Sequence, residues 1–123
     1  MEPARAGQEF AEALAAKDAA RLTEVLAPDL DFRALTPNRA WEVSTADGFV
    51  TDVLPVWFEK NDHIDELQML DTASVGDRER MGYLFHGHNG DGPFIVEQQA
   101  YYEADDGRIT WLRVLCSGFR PAG

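Results

Sequence analysis

The residues from Arg80 to Phe119 constrain this chain most, because they read as three consecutive antiparallel strands and leave the first two-thirds of the chain to cover them. The run from Arg80 to His88 is rich in aromatic residues and ends at Asn89-Gly90-Asp91-Gly92, which supplies the positive-φ positions of a hairpin turn. A second run, Phe94 to Glu103, ends at Ala104-Asp105-Asp106-Gly107. The third, Arg108 to Phe119, carries Ile109, Trp111, Val114 and Leu115 in the β-branched and aromatic style of a pleated sheet.

Side chains on a strand alternate between faces, so the three runs sort into two sets. One collects Gly82, Leu84, His86, His88, Ile95, Glu97, Gln99, Tyr101, Thr110, Leu112, Val114 and Cys116. The other collects Tyr83, Phe85, Phe94, Val96, Gln98, Ala100, Tyr102, Ile109, Trp111, Arg113, Leu115, Ser117 and Phe119. Changing a turn by two residues alters neighbours and not faces, whereas a bulge breaks the assignment. The first set mixes apolar and ionisable groups, as a ligand cavity does. The second is too apolar to leave wet, so both faces need cover.

The chain has 123 residues, enough for one domain with its own core, taken here as residues 1–123. A formal net charge of −11 argues against nucleic acid and anionic membranes as partners, since both would be repelled before contact. Cys116 is the only cysteine, which excludes an internal disulfide and a cysteine-based zinc cage. The start, Met1-Glu2-Pro3-Ala4-Arg5, lacks the pattern of a secretory signal, and no apolar run approaches the roughly 18 residues of a membrane span. A cytoplasmic protein is expected.

From Pro3 to Ala16 the pattern is helical, with Ala6, Phe10, Ala13, Leu14 and Lys17 recurring at three and four. Asp18 caps a shorter helix bearing Leu22, Val25 and Leu26, and Asp29 to Leu35 reads as a first strand. Trp41-Glu42-Val43 is a short strand, and Ser44-Thr45-Ala46-Asp47 resembles a capping box for a helix through Phe49, Val50, Val53, Leu54 and Trp57. Within it, Pro55 either kinks the helix or starts a second one. His63 to Ser74 is a further strand, and Asp62, Asp65 and Glu66 are solvated turn or rim residues. The order predicts an α+β domain with helices on one side of a curved antiparallel sheet.

Three segments, Phe10 to Asp18, Leu26 to Phe32 and Asp106 to Val114, together with this element order, resemble the nuclear transport factor 2-like (cystatin-like) superfamily, in its SnoaL-like polyketide cyclase and ketosteroid isomerase branch. The resemblance implies a cone-shaped sheet wrapped around the N-terminal helices, a pocket at its open end and homodimerisation through the convex face. It selects the mixed set as inward and the aromatic set as outward, where hydrophobicity alone selects the reverse. The isomerase chemistry of that branch uses a base on the first strand, a tyrosine on the first helix and a protonated aspartate on the penultimate strand. Those positions fall near Ala34, Phe10 and Gln99, which carry no ionisable group, so isomerisation by that route is not expected.

With the mixed set inward, Glu97, Gln99 and Tyr101 stand along one face about 7 Å apart from one to the next. Glu97 is then the candidate acid or base, raised by desolvation, and His86 a candidate donor beside it. Phe32, Trp41, Trp57, Leu84, Gln99, Tyr101, Leu112, Val114 and Cys116 are candidate ligand contacts, and Tyr83, Phe85, Gln98, Tyr102, Trp111, Arg113 and Leu115 candidate interface residues. No cofactor or metal is expected. His88 abuts the turn, and Leu84 rather than His86 faces Glu97, which leaves the two-histidine, one-carboxylate outline incomplete. The bland alternative is a structural role, with Glu97 paired and Cys116 a small buried hydrophobe. The functional expectation is a protein that binds or converts a small apolar molecule with a polar handle, as a cyclase, isomerase or hydrolase using Glu97. The alternative is a non-enzymatic ligand-binding or protein-interaction module using the outer sheet face.

Overall fold

A computed structural model describes residues 3–122 of the chain. Helix α1 (Pro3–Ala15) places Ala6, Phe10, Ala13 and Leu14 in the core, the positions its periodicity marks. It ends at Lys17, whose positive φ of 53° lets the Asp18 N–H reach Ala13 and the Lys17 N–H reach Leu14, so the last carbonyls are satisfied. Asp18 then caps α2 (Ala19–Val25) by accepting from the Arg21 N–H at 3.1 Å.

Strands β1 (Leu26–Thr36) and β2 (Arg39–Val43) form a hairpin. Thr45 is the cap that the Ser-Thr-Ala-Asp segment promises, accepting from the Gly48 N–H at 2.9 Å. The helix it opens is not continuous. A short α3 (Ala46–Gly48) widens into a π-helical stretch, Phe49–Val53, and α4 (Leu54–Trp57) follows with Pro55 in its first turn, so the proline starts a new helix.

Strands β3 (His63–Val75), β4 (Arg78–Asn89), β5 (Gly92–Asp105) and β6 (Arg108–Cys116) are joined by tight turns, and β7 (Arg120–Pro121) returns to pair with β5. The turns are shorter than four residues. Asn89 pairs with Gly92, and Asp105 pairs with Arg108 around Asp106-Gly107, where both residues have positive φ. The sheet order is β2-β1-β6-β5-β4-β3. It is antiparallel except between β1 and β6, which run parallel because the helical segment after β2 carries the chain from one edge of the sheet to β3 at the other. Register shifts interrupt the pairing of β1 with β6, of β3 with β4 and of β5 with β6, and such bulges bend and coil a sheet. The curved sheet wraps the helices: α1 touches β3, β4, β5 and β6, while α2 touches β1 and β6.

The helix-facing side of β4 and β5 is the aromatic set. Tyr83, Phe85, Val96, Gln98, Ala100 and Tyr102 are all at most 1% exposed, so the assignment of Tyr83, Phe85, Gln98 and Tyr102 to an outer interface is corrected. Apolar burial decides the matter: each large side chain turned inward is worth about 1.5–3 kcal/mol, and the mixed set offers no comparable gain. On β6 the faces are reversed. Glu103 pairs with Trp111 and Ala104 with Ile109, leaving Thr110 as an extra residue. That bulge turns Leu112 and Val114 inward with Ile109, and sends Trp111, Arg113 and Leu115 to the outer face.

Inside, Phe49 meets Phe10, Phe32 and Trp57 edge to face at centroid distances of 5.0–5.9 Å, and Phe32 meets Trp57 at a tilt, at 5.9 Å. Trp41 meets Trp57 at 6.1 Å, and Phe58 meets Phe85 at 5.3 Å. These rings fill most of the cone. One loop expectation is also corrected. Asp62 is buried rather than solvated, accepting from the Glu59 N–H and from Asn89 Nδ2 at 2.9 Å each, while the Lys17 ammonium bonds the carbonyls of Glu59 and Asp62.

Candidate functional site

The aromatic filling stops short of the open end, where Trp57 and Phe58 leave α4 and the strands β1 and β6 end beside Val96 and Gln98 of β5. A cavity of about 110 Å³ remains there, lined by Thr36, Trp57, Phe58, Val96, Gln98, Cys116, Gly118 and Phe119. Val96 and Gln98 reach it because they alternate inward along β5. Cys116 reaches it as the last residue of β6, and the turn at Gly118, with φ of 72°, swings Phe119 across the mouth. Phe119 stacks edge-on against Phe94 at 4.6 Å and Phe58 at 6.0 Å.

The polar groups of this cavity form a short chain. Tyr83 donates from its hydroxyl to Gln98 Oε1 at 2.7 Å, and Gln98 Nε2 donates to Cys116 Sγ at 3.4 Å. The Gly118 N–H also donates to that sulfur at 3.4 Å. Burial, and then the neighbouring Cys116, push the Tyr83 phenol well above its ordinary range, so it remains a neutral donor. Trp57 is 7% exposed, and its fully buried indole N–H meets no acceptor among the described residues. An unpaired buried donor costs about 1–3 kcal/mol. Among the described residues, no carboxylate or imidazole lines the cavity.

The residues expected to carry chemistry lie elsewhere. Glu97 is on the outer face, where its carboxylate accepts from Gln99 Nε2 at 3.5 Å, and it faces Leu84 across the strands. His86, also outside, pairs with Gln68 at 3.0 Å, and His88 with Asp65 at 2.8 Å. Gln99 accepts from Arg80, which also holds Asp71. The inward placement of Glu97, His86, Leu84, Gln99 and Tyr101 is therefore corrected, and the reason is the apolar competition described above. Of the expected ligand contacts, Trp57 and Cys116 line the cavity. Phe32 and Leu112 are buried on the inner side as packing, Trp41 donates to Thr36 Oγ1 at 2.8 Å, and Trp41, Tyr101 and Val114 line a separate, wider groove. Gln98 and the Tyr83 behind it belong to the set the sequence places at the interface, and here Gln98 lines the cavity instead. The alternation of large apolar residues through Tyr83, Phe85, Val96 and Tyr102 is the signal that locates them inside.

A wider groove of about 640 Å³ lies on the outer face, where Arg33, Leu35, Ala40, Glu42, Tyr101, Arg113 and Leu115 surround an apolar floor. Leu35 and Leu115 are register partners and each is 57% exposed. The arginines around it are matched: Arg33 with Glu42 at 2.8 Å and Arg113 with Asp31 at 3.1 Å. Arg78 and Arg113 both lie over the Trp111 ring, at 3.9 and 4.3 Å from its centroid.

No protein-family model matches the sequence, and no curated protein matches it. Solved structures do match. A candidate isomerase from Bacillus subtilis superposes with a TM-score of 0.77 at 15% identity, over 94% of this chain and 86% of that one. IdmH, a candidate polyketide cyclase from Streptomyces antibioticus, gives 0.70 at 17% identity, over 94% and 92%. An LEH-like epoxide hydrolase from M. tuberculosis gives 0.69 at 19%, over 92% and 80%. The chain thus has the α+β fold of the nuclear transport factor 2-like, SnoaL-like proteins. At these identities the likeness establishes the fold alone. No described helix is long and apolar enough to cross a membrane.

Proposed function

We propose that this protein binds a small, uncharged, largely apolar molecule at the open end of the cone, in the cavity between Trp57, Val96, Gln98, Cys116 and Phe119. The largely apolar cavity, with Gln98 and Cys116 among its few polar groups, carries this reading. The absence of a carboxylate or imidazole from the lining favours binding over acid–base turnover, since a base must lie within hydrogen-bond reach of the proton it takes. The printed names of the structural neighbours (isomerase, polyketide cyclase, epoxide hydrolase) all concern small organic molecules, which agrees with a ligand of that size class.

The test compares cyclohexanone with methylcyclohexane by tryptophan fluorescence and amide chemical-shift titration. Both compounds are expected to bind saturably, and Val96→Trp, which fills the cavity, to weaken both at least about tenfold. Glu97→Gln should change neither affinity. Loss of binding in Glu97→Gln, or no saturable binding of either compound, would overturn the reading.

The outer face is read as a homodimer surface. It is nearly charge-balanced on a chain of net charge −11, and it combines exposed Leu35 and Leu115 with Tyr101, Trp111 and Arg113, the residue types that anchor interfaces. A two-fold pairing counts each substitution twice, so Leu115→Asp should weaken association at least 100-fold and yield monomers in sedimentation equilibrium at micromolar protein. A wild-type chain that is already monomeric there would remove this surface from the proposal.

A further inference from the structure

We propose that the free edge of β3, from Asp71 to Val75, docks an extended, lysine- or arginine-rich segment of another protein as an added strand. This edge is separate from the mouth cavity and from the outer groove, which lie on other strands.

Among the described residues β3 pairs only with β4 and forms one edge of the sheet. Its turn leaves Gly76 and Asp77 between the partners Val75 and Arg78, so that pair exchanges both backbone hydrogen bonds and the pairs alternate from there. Asp71 and Ala73 therefore spend their N–H and C=O groups on Gly82 and Arg80, whereas Thr72 and Ser74 turn theirs away from the sheet. β4 obeys the same count from its other end: Asn89 pairs with Gly92, so its odd-numbered residues bond β5, and Arg78, Arg80 and Gly82 are left for β3. Thr72 and Ser74 thus present their N–H and C=O groups in a row, the template to which an extended chain adds.

The protections that sheets place on their edges are missing over this stretch. Asp71 to Val75 contain no proline, lysine or bulge, and every residue from Leu70 to Arg78 is exposed, whereas the end of α1 flanks β3 further back, at Ile64 to Leu67. The opposite edge, β2, is five residues long and opens on Arg39, whose guanidinium lies over the Trp41 ring at 3.5 Å. Charge selects the occupant. β3 carries Asp65, Glu66 and Asp71 and neither lysine nor arginine, its turn adds Asp77, and the formal net charge of the chain is −11. Arg80 holds Asp71 from the β4 side, one strand further from an incoming chain. A second copy would bring these same acids together on one edge, so a basic segment fits where another β3 is repelled.

The test titrates the full chain, at low salt, with a capped peptide alternating lysine and valine and with its glutamate–valine counterpart, read by amide chemical shifts and hydrogen exchange. The Thr72 and Ser74 amides are expected to exchange quickly in the free protein and to become protected by the lysine peptide, while the Ala73 amide, already bonded to β4, is protected in both states. The glutamate peptide should bind at least about tenfold more weakly. Thr72→Pro removes an outward N–H and no bond of the sheet, so its unfolding midpoint should stay close to that of the wild type while affinity for the lysine peptide falls about tenfold, through one lost backbone hydrogen bond and the bulk of the ring. Equal affinity for the two peptides, unchanged affinity in Thr72→Pro, or no binding of the lysine peptide would overturn the proposal. So would protection of the Thr72 and Ser74 amides in the free protein that is lost on dilution, because the edge would then already hold a second copy.

Discussion

Replacing Tyr102 with alanine should destabilise the protein by about 3–5 kcal/mol, the range for deleting a fully buried aromatic side chain. The ring is 1% exposed and packs beneath α1, so closely that a β-carbon built on Gly7 would come within 2.3 Å of the hydroxyl oxygen and 2.5 Å of the ring carbon bearing it. Burial raises the phenol's pKa to about 12, the Glu79 charge adding to the shift, so the side chain is neutral in the folded state across the physiological range. Urea unfolding followed by circular dichroism, at one protein concentration, reads the loss from the midpoint at unchanged slope. Tyr102→Phe, which keeps the ring, should retain most of the stability. A loss below about 1 kcal/mol for alanine, with only self-association weakened, would place the ring on the outer face and refute the inward assignment of β4 and β5.

Gly87→Ala should cost about 3 kcal/mol or more, a larger effect than a single methyl usually has. Gly87 is buried in β4 between Ile64 of β3 and Phe94 of β5. An added β-carbon would lie 2.2 Å from the His63 carbonyl oxygen and 2.6 Å from the Phe94 ring. A flexible side chain could swing away from such a clash, but a backbone carbonyl held in a sheet cannot, so the strand pair itself must part. Gly90→Ala provides the comparison: nothing lies within 4 Å of its added carbon, and its change should stay within about 0.5 kcal/mol. Equal unfolding midpoints for the two variants would contradict the close approach of β3 to β4.

These two sites show where reading the sequence succeeded and where it did not. The capping roles of Asp18 and Thr45, the helical stripe of α1 and the meander of β4, β5 and β6 are all local signals, and each is found where it was expected. The candidate site was not legible. Choosing the mixed set as inward placed Glu97 and His86 in the cavity and Tyr83, Gln98 and Tyr102 outside it, against the hydrophobic preference of the same residues. Following hydrophobicity alone would have been right for β4 and β5 and wrong for β6, because Thr110 is inserted there. Neither rule contained that insertion, and Gly7 and Gly87 gave no sign in the sequence of what would press against them.

By itself the sequence determined the order of helices and strands, the turns between them and the α+β class, because caps, periodicity and turn residues act over a few neighbours. Only the tertiary structure decided which side of each strand met the helices, and with it that Trp57, Gln98 and Cys116 share a cavity while Glu97 does not. The physical reason is parity. A strand has two faces, one extra residue exchanges them, and the choice is settled by the total apolar area buried across all the packed strands at once.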